Sequence, residues 1–126
     1  MFRDTERTGP LRFSVCRPRP DVTMLMVAGE IDVATAPRLR AQLASGPARR
    51  AAVLVLDLSP VTFLAAAGLS VLVEAQAEVT RTRRRMALIT RVRPVDRVIE
   101  VTGLADRFHR VRSLEAALAP GYDETA

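Results

Sequence analysis

The sequence predicts an α/β domain built on a mostly parallel sheet, and three observations carry that class. Short apolar runs alternate with stretches of helical period along nearly the whole chain, the pattern of strands joined by crossover helices. One run, AAVLVLDL at 51–58, is apolar almost throughout, as suits a central strand covered on both faces. The first two strand-like segments are separated by the turn-forming RPRPD at 17–21, so they join as an antiparallel hairpin.

The elements follow in order. Residues 1–10 are polar and close on Gly9-Pro10, and they read as a loose arm ahead of one domain over 11–119, with a tail at 120–126. From Leu11 the pattern alternates, Leu11, Phe13 and Val15 facing one way and Arg12, Ser14 and Cys16 the other. The second strand runs over 22–28 and stops at Gly29. Thr35 is placed to cap a helix that has Pro37 in its first turn, shares Leu39 and Leu43 on one face, and ends near Gly46-Pro47. The central strand follows, then a loop, SPVTF. Gly68 and Leu69 open a second helix, with Leu69, Leu72, Val73 and Val79 as its apolar stripe and Gln76 on the same face. A strand at 86–90 leads to a third helix from Pro94, with Val95, Val98, Ile99 and Thr102 at helical spacing. Gly103 and Leu104 are placed to close it as a Schellman motif. A short strand at 108–111 and a helix capped by Ser113 complete the order ββαβαβαβα.

Composition bounds the rest. A chain of 126 residues, 48% hydrophobic and 26% charged, buries enough surface to fold without a staple. One cysteine, Cys16, cannot form an internal disulfide, and the start MFRDTERTGP lacks an apolar leader, so the expectation is a cytoplasmic protein not inserted in a membrane. All 19 basic residues are arginine, giving a formal charge of +5. They are spread along the chain with one dense run at 81–85, which closes a helix where cations favour the macrodipole. With 4% aromatics there is no stacking platform, so direct nucleic-acid binding is not expected.

Nothing points to an enzyme. The single histidine, His109, has no nucleophile and orienting acid beside it, and reads as a surface or edge residue. One Cys and one His cannot complete a metal ligand set, and no phosphate-cradling glycine loop is present, so neither metal nor cofactor is expected. Cys16 reads as an inert, half-exposed thiol.

Three stretches resemble the STAS domain of bacterial anti-sigma factor antagonists. Gly29-Glu30-Ile31-Asp32 leading to Thr35-Ala36-Pro37 resembles the family's G-E-[LI]-D and T-A-P. Leu56-Asp57-Leu58-Ser59-Pro60-Val61-Thr62-Phe63-Leu64 leading to Gly68-Leu69 is similar to D-L-S-x-V-x-F-[ILM]-D-S-[SA]-G-L. Val101-Thr102-Gly103-Leu104 matches the turn after the third helix. The resemblance implies a small α/β domain that binds an anti-sigma factor of the serine-kinase type and so regulates sigma-dependent transcription. It also implies that the kinase phosphorylates a serine after the central strand and that the modified protein lets go. A phosphate adds about −1.5 to −2 charge, enough to disrupt a complementary interface.

Here the family's Asp-Ser-[Ser/Ala]-Gly is Ala65-Ala66-Ala67-Gly68. Ala66 has no hydroxyl to esterify, and Ser70 is the one substitute acceptor, placed in the helix's first turn. By resemblance the partner surface comprises Asp32 and Thr35 with Ala65, Ala66, Ala67, Gly68 and Ser70, while Ser59 bonds backbone groups of its turn. Three readings stay open: an antagonist without the switch, a STAS scaffold in a transporter or signalling complex, or a pseudo-antagonist whose partner surface has drifted. Homodimer formation is likewise open.

Overall fold

The computed structural model describes residues 3–6 and 11–119. Within them one seven-stranded sheet forms from β1 (Arg3–Glu6), β2 (Leu11–Arg19), β3 (Val22–Ile31), β4 (Val53–Asp57), β5 (Val61–Leu64), β6 (Arg85–Ile89) and β7 (His109–Val111). The helices are α1 (Ala36–Leu43), α2 (Gly46–Arg50), α3 (Ala66–Arg81), α4 (Arg93–Val101) and α5 (Leu114–Ala117), with a 3-10 turn at Ala105–Arg107. The strand order is β1-β2-β3-β4-β6-β7, and β5 pairs with β3 beside this path. Pairings β3–β4, β3–β5, β4–β6 and β6–β7 are parallel; β1–β2 and β2–β3 are antiparallel. The α/β class and the hairpin are as the sequence predicts.

The strand period of two sorts the core into two layers. In β4, Leu54 and Leu56 join the larger cluster with Leu25, Leu39, Leu69, Leu72, Met86, Val95 and Ile99, on the side that carries α1, α3 and α4. Val53 and Val55 join Val22, Met24, Ala87, Ile89 and Ala117 on the side that α5 covers. Cys16, expected on a polar face, packs against this second layer, and burial raises its thiol above the usual range.

Five local expectations are corrected. Part of the presumed arm, Arg3–Glu6, pairs with β2 as an added strand; residues 1, 2 and 7–10 and the tail lie outside the described residues. The second strand does not stop at Gly29. It continues to Ile31, because β5 pairs with that extension after a register shift between Gly29 and Glu30. SPVTF is not all loop: Val61–Leu64 is β5, its ends Val61 and Leu64 buried and Thr62 and Phe63 exposed, an apolar spacing of three that reads poorly as a strand. Gly46-Pro47 ends no helix but opens the short α2. The second helix begins two residues early, at Ala66.

Helix ends show where the chain is strained. At the end of α4 the Leu104 N–H donates to the Ile99 carbonyl and the Gly103 N–H to that of Glu100, with Gly103 at φ 75°, which is the Schellman arrangement expected. The same two bonds close α3, from Arg84 to Val79 and from Arg83 to Thr80, but there Arg83 occupies the left-handed position at φ 60°. A Cβ in that region costs about 1–2 kcal/mol, part of which glycine gives back through unfolded-state entropy. Arg83→Gly is therefore expected to raise stability by about 0.5–1 kcal/mol, read as a higher urea midpoint at constant m-value. A lower midpoint would show that the arginine side chain contributes more than the strain costs.

Candidate functional site

The edge at the carboxyl ends of β3 and β5 gathers the residues that the sequence singles out. Parallel pairing sets Ile31 beside Leu64 and Glu30 beside Phe63, and the Ala65 N–H donates to the Ile31 carbonyl at 2.8 Å. The turn that follows β3 and the start of α3 are thereby held side by side. Gly68 makes the approach close: a Cβ there would lie 2.3 Å from Ile31 Cγ2 and 2.8 Å from Leu64 Cδ1.

The turn is locked by a reciprocal pair. The Asp32 N–H donates to Thr35 Oγ1 at 2.8 Å, and the Thr35 N–H donates to Asp32 Oδ1 at 2.9 Å. Thr35 Oγ1 is also 2.9 Å from the Glu30 carbonyl oxygen and 3.1 Å from Asp32 Oδ1. These bonds, the Thr35 backbone amide first, hold the Asp32 carboxyl below its ordinary value. Thr35 does precede α1, but its hydroxyl caps no helix amide, because it is used by the strand end behind it. The hydroxyl of Ser59 likewise bonds no backbone group of its turn; it accepts from Arg91 Nε at 3.3 Å, while the Ser59 N–H donates to Asp57 Oδ1 at 2.9 Å.

The side chains divide into those that hold the edge and those that face outward. Thr35 and Gly68 are buried; Asp32, Ala65 and Ala67 are half-buried; Ala66 and Ser70 are exposed. Ser70 falls in the second turn of α3 rather than the first, four residues after Ala66 and so on the same helix face. Sequence reasoning misses Val33 and Phe63, which are 76% and 50% exposed and lie on the two segments of this edge. The sequence leaves Phe63 in a loop without an assigned burial; the β3–β5 register sets it beside the exposed Glu30. With Ala34 and Ala66 exposed as well, the edge presents a group of apolar side chains bordered by the exposed Glu30, Thr62 and Ser70. Apolar side chains exposed together are a mark of a protein-binding site.

The start of α3 is uncapped. Ala65 has the extended backbone of an N-cap, φ −90° and ψ 168°, but offers no acceptor, and the first turn holds no acid. An aspartate there would accept from a free amide and complement the dipole. Ala65→Asp is expected to stabilise the fold by about 1 kcal/mol in urea unfolding. An unchanged midpoint would mean that the carboxylate is turned away from the helix.

His109 lies on β7, away from this edge, with burial pushing its imidazole down. No helix among the described residues is long and apolar enough to cross a membrane.

Comparison with known proteins identifies the family and the fold. The STAS domain family model matches residues 15–117. The anti-sigma-B factor antagonist of Listeria monocytogenes is 33% identical over 82 residues, covering 65% of this chain and 72% of that protein. The crystal structure of an anti-sigma factor antagonist from Mycobacterium paratuberculosis is 31% identical with a TM-score of 0.72, covering 86% of this chain and 91% of that one. The phosphorylated form of the Bacillus cell fate determinant SpoIIAA, at 15% identity and a TM-score of 0.63, covers 82% of this chain and 95% of that one, and shares the fold.

Proposed function

The chain belongs to the STAS domain family, and on that footing we propose that it is an anti-sigma factor antagonist whose partner edge carries no phosphorylation switch. Relatives at 33% and 31% identity bear that name, and the edge supports the same role here. The observation that carries the reading is the apolar surface formed by Val33, Phe63 and Ala66 on a rigidly paired turn and helix start. Such a surface suits binding through burial and shape, with a few central side chains dominating the affinity. The partner is an anti-sigma factor of the serine-kinase type.

The switch is absent for a chemical reason. The position of the phosphoacceptor is the exposed first residue of α3, accessible to a kinase, but its methyl group cannot be esterified. The antagonist therefore stays competent in the presence of ATP and is regulated by other means, such as its expression. Incubation with the cognate anti-sigma factor and ATP, followed by mass spectrometry, tests this. The wild type is expected to remain unmodified and Ala66→Ser to gain phosphate. Stoichiometric phosphate on the wild type, at Ser70 for instance, would overturn the lost switch.

A further inference from the structure

The opposite end of the sheet concentrates charge that looks dispersed in the sequence. Three connections meet there: the β2–β3 turn, α2 with its approach to β4, and the α3–β6 turn. Val22, Val53 and Arg85 are in register across β3, β4 and β6, so adjacent strands about 4.8 Å apart set the three connections within roughly 10 Å. The Val53 N–H donates to the Asp21 carbonyl at 3.0 Å, and the Arg85 N–H to that of Ala52 at 2.9 Å. Arg84 welds the last two connections, its Nη1 donating to the carbonyls of Ala48 and Arg49 at 3.2 and 2.8 Å.

These segments carry Arg17, Arg19, Arg49, Arg50, Arg83 and Arg85, all exposed, around the half-buried Arg84. The one acid among residues 17–22, 46–53 and 82–86 is Asp21. No ion pair among the described residues involves Arg19, Arg49, Arg50 or Arg83. Closing a helix accounts for one or two cations at such an end, but not for the exposed guanidinium groups of Arg19, Arg49, Arg50 and Arg83 from three connections.

We propose that this pole binds the phosphate backbone of duplex nucleic acid without reading its sequence. A guanidinium group matches phosphate as a two-pronged donor, and every basic residue of this chain is arginine. Duplex DNA carries one charge per about 3.4 Å of axis on each strand, so a patch roughly 10 Å across faces about three phosphates of the near strand. The three segments hold no aromatic residue on which single-stranded bases could stack. They hold none of the large exposed hydrophobics, Val33, Phe63 and Val101, that would enter a lipid surface. The pole begins β3 and the apolar edge ends it, about 30 Å away over ten residues, so both can be occupied together.

The test is fluorescence anisotropy of a labelled 20-base-pair duplex of mixed sequence, titrated with the full chain from 50 to 200 mM salt. Micromolar binding is expected, with log K falling linearly against log salt. Arg19→Gln/Arg49→Gln/Arg50→Gln should flatten that slope by about 2.7 and weaken binding more than tenfold at 50 mM salt. Arg93→Gln/Arg97→Gln/Arg107→Gln removes the same charge from exposed positions elsewhere and should leave the slope nearly unchanged. Urea unfolding confirms that both variants fold. The proposal is overturned by no duplex binding at 50 mM salt, by equal slope changes in the two variants, or by tighter binding to poly-glutamate or phosphatidylserine vesicles than to duplex.

Discussion

Gly68→Ala is expected to lower stability by about 2 kcal/mol or more, although alanine is the better helix former by about 1 kcal/mol. The sign is set by space. The added Cβ would sit 2.3 Å from Ile31 Cγ2 and 3.2 Å from Ile31 Cβ, and both atoms belong to a side chain with no exposed surface. Ile31 cannot swing aside without pushing into the core or breaking the bond from the Ala65 N–H to its carbonyl. Overpacking of this kind typically costs about 1–3 kcal/mol, and Gly68→Val should cost more again. A double-mutant cycle isolates the contact. Ile31→Ala alone should cost about 2–5 kcal/mol, but in that background Gly68→Ala should become nearly neutral or stabilising. Equal effects of Gly68→Ala in both backgrounds would show that the helix start is not wedged against β3.

The second large effect concerns binding. Ala66→Glu places an anion at the position that the resemblance sets as the phosphoacceptor, at the first residue of a helix, where negative charge is tolerated or mildly favoured. Its fold should hold while its affinity for the anti-sigma factor drops at least a hundredfold, because the carboxylate must be desolvated against an apolar partner surface. Phe63→Ala should lose about tenfold or more through lost burial alone. On the proposed reading the contact is made by shape rather than charge, so its affinity should change little from low to high salt, unlike a contact made by arginines. Calorimetric titration of the anti-sigma factor gives all three numbers. Tight binding by a folded Ala66→Glu would remove the edge from the interface.

How much of this was legible in the sequence depends on whether the signal is local. The apolar run of β4, the alternation in β2 and the Gly103-Leu104 closure are written in a few consecutive residues, and the structure has them where the pattern sets them. Ser113 accepts from the Ala116 N–H as a cap should. β5 could not be read this way, because its two middle residues are both exposed and its partner strand lies more than thirty residues earlier. The exposure of Phe63 follows from that long-range pairing and from nothing local. Thr35 has the residue type of a cap, yet Asp32 three residues before competes successfully for its hydroxyl. The arginine pole failed for the same topological reason. Residues 17–19, 49–50 and 83–85 are far apart in the chain, and only the parallel order β3-β4-β6 brings their connections to one end.

Displacement of the sigma factor tests the central claim most directly. A complex of labelled sigma factor and its kinase-type anti-sigma factor is formed with ATP, the full chain is added, and sigma release is followed by anisotropy over many kinase turnovers. The wild type should free the sigma factor and keep it free, Ala66→Glu should free none, and Ala66→Ser should free it only until phosphorylation returns it to the complex. Sigma factor that stays bound on addition of the wild type, or that is recaptured as ATP is consumed, would contradict an antagonist without a switch.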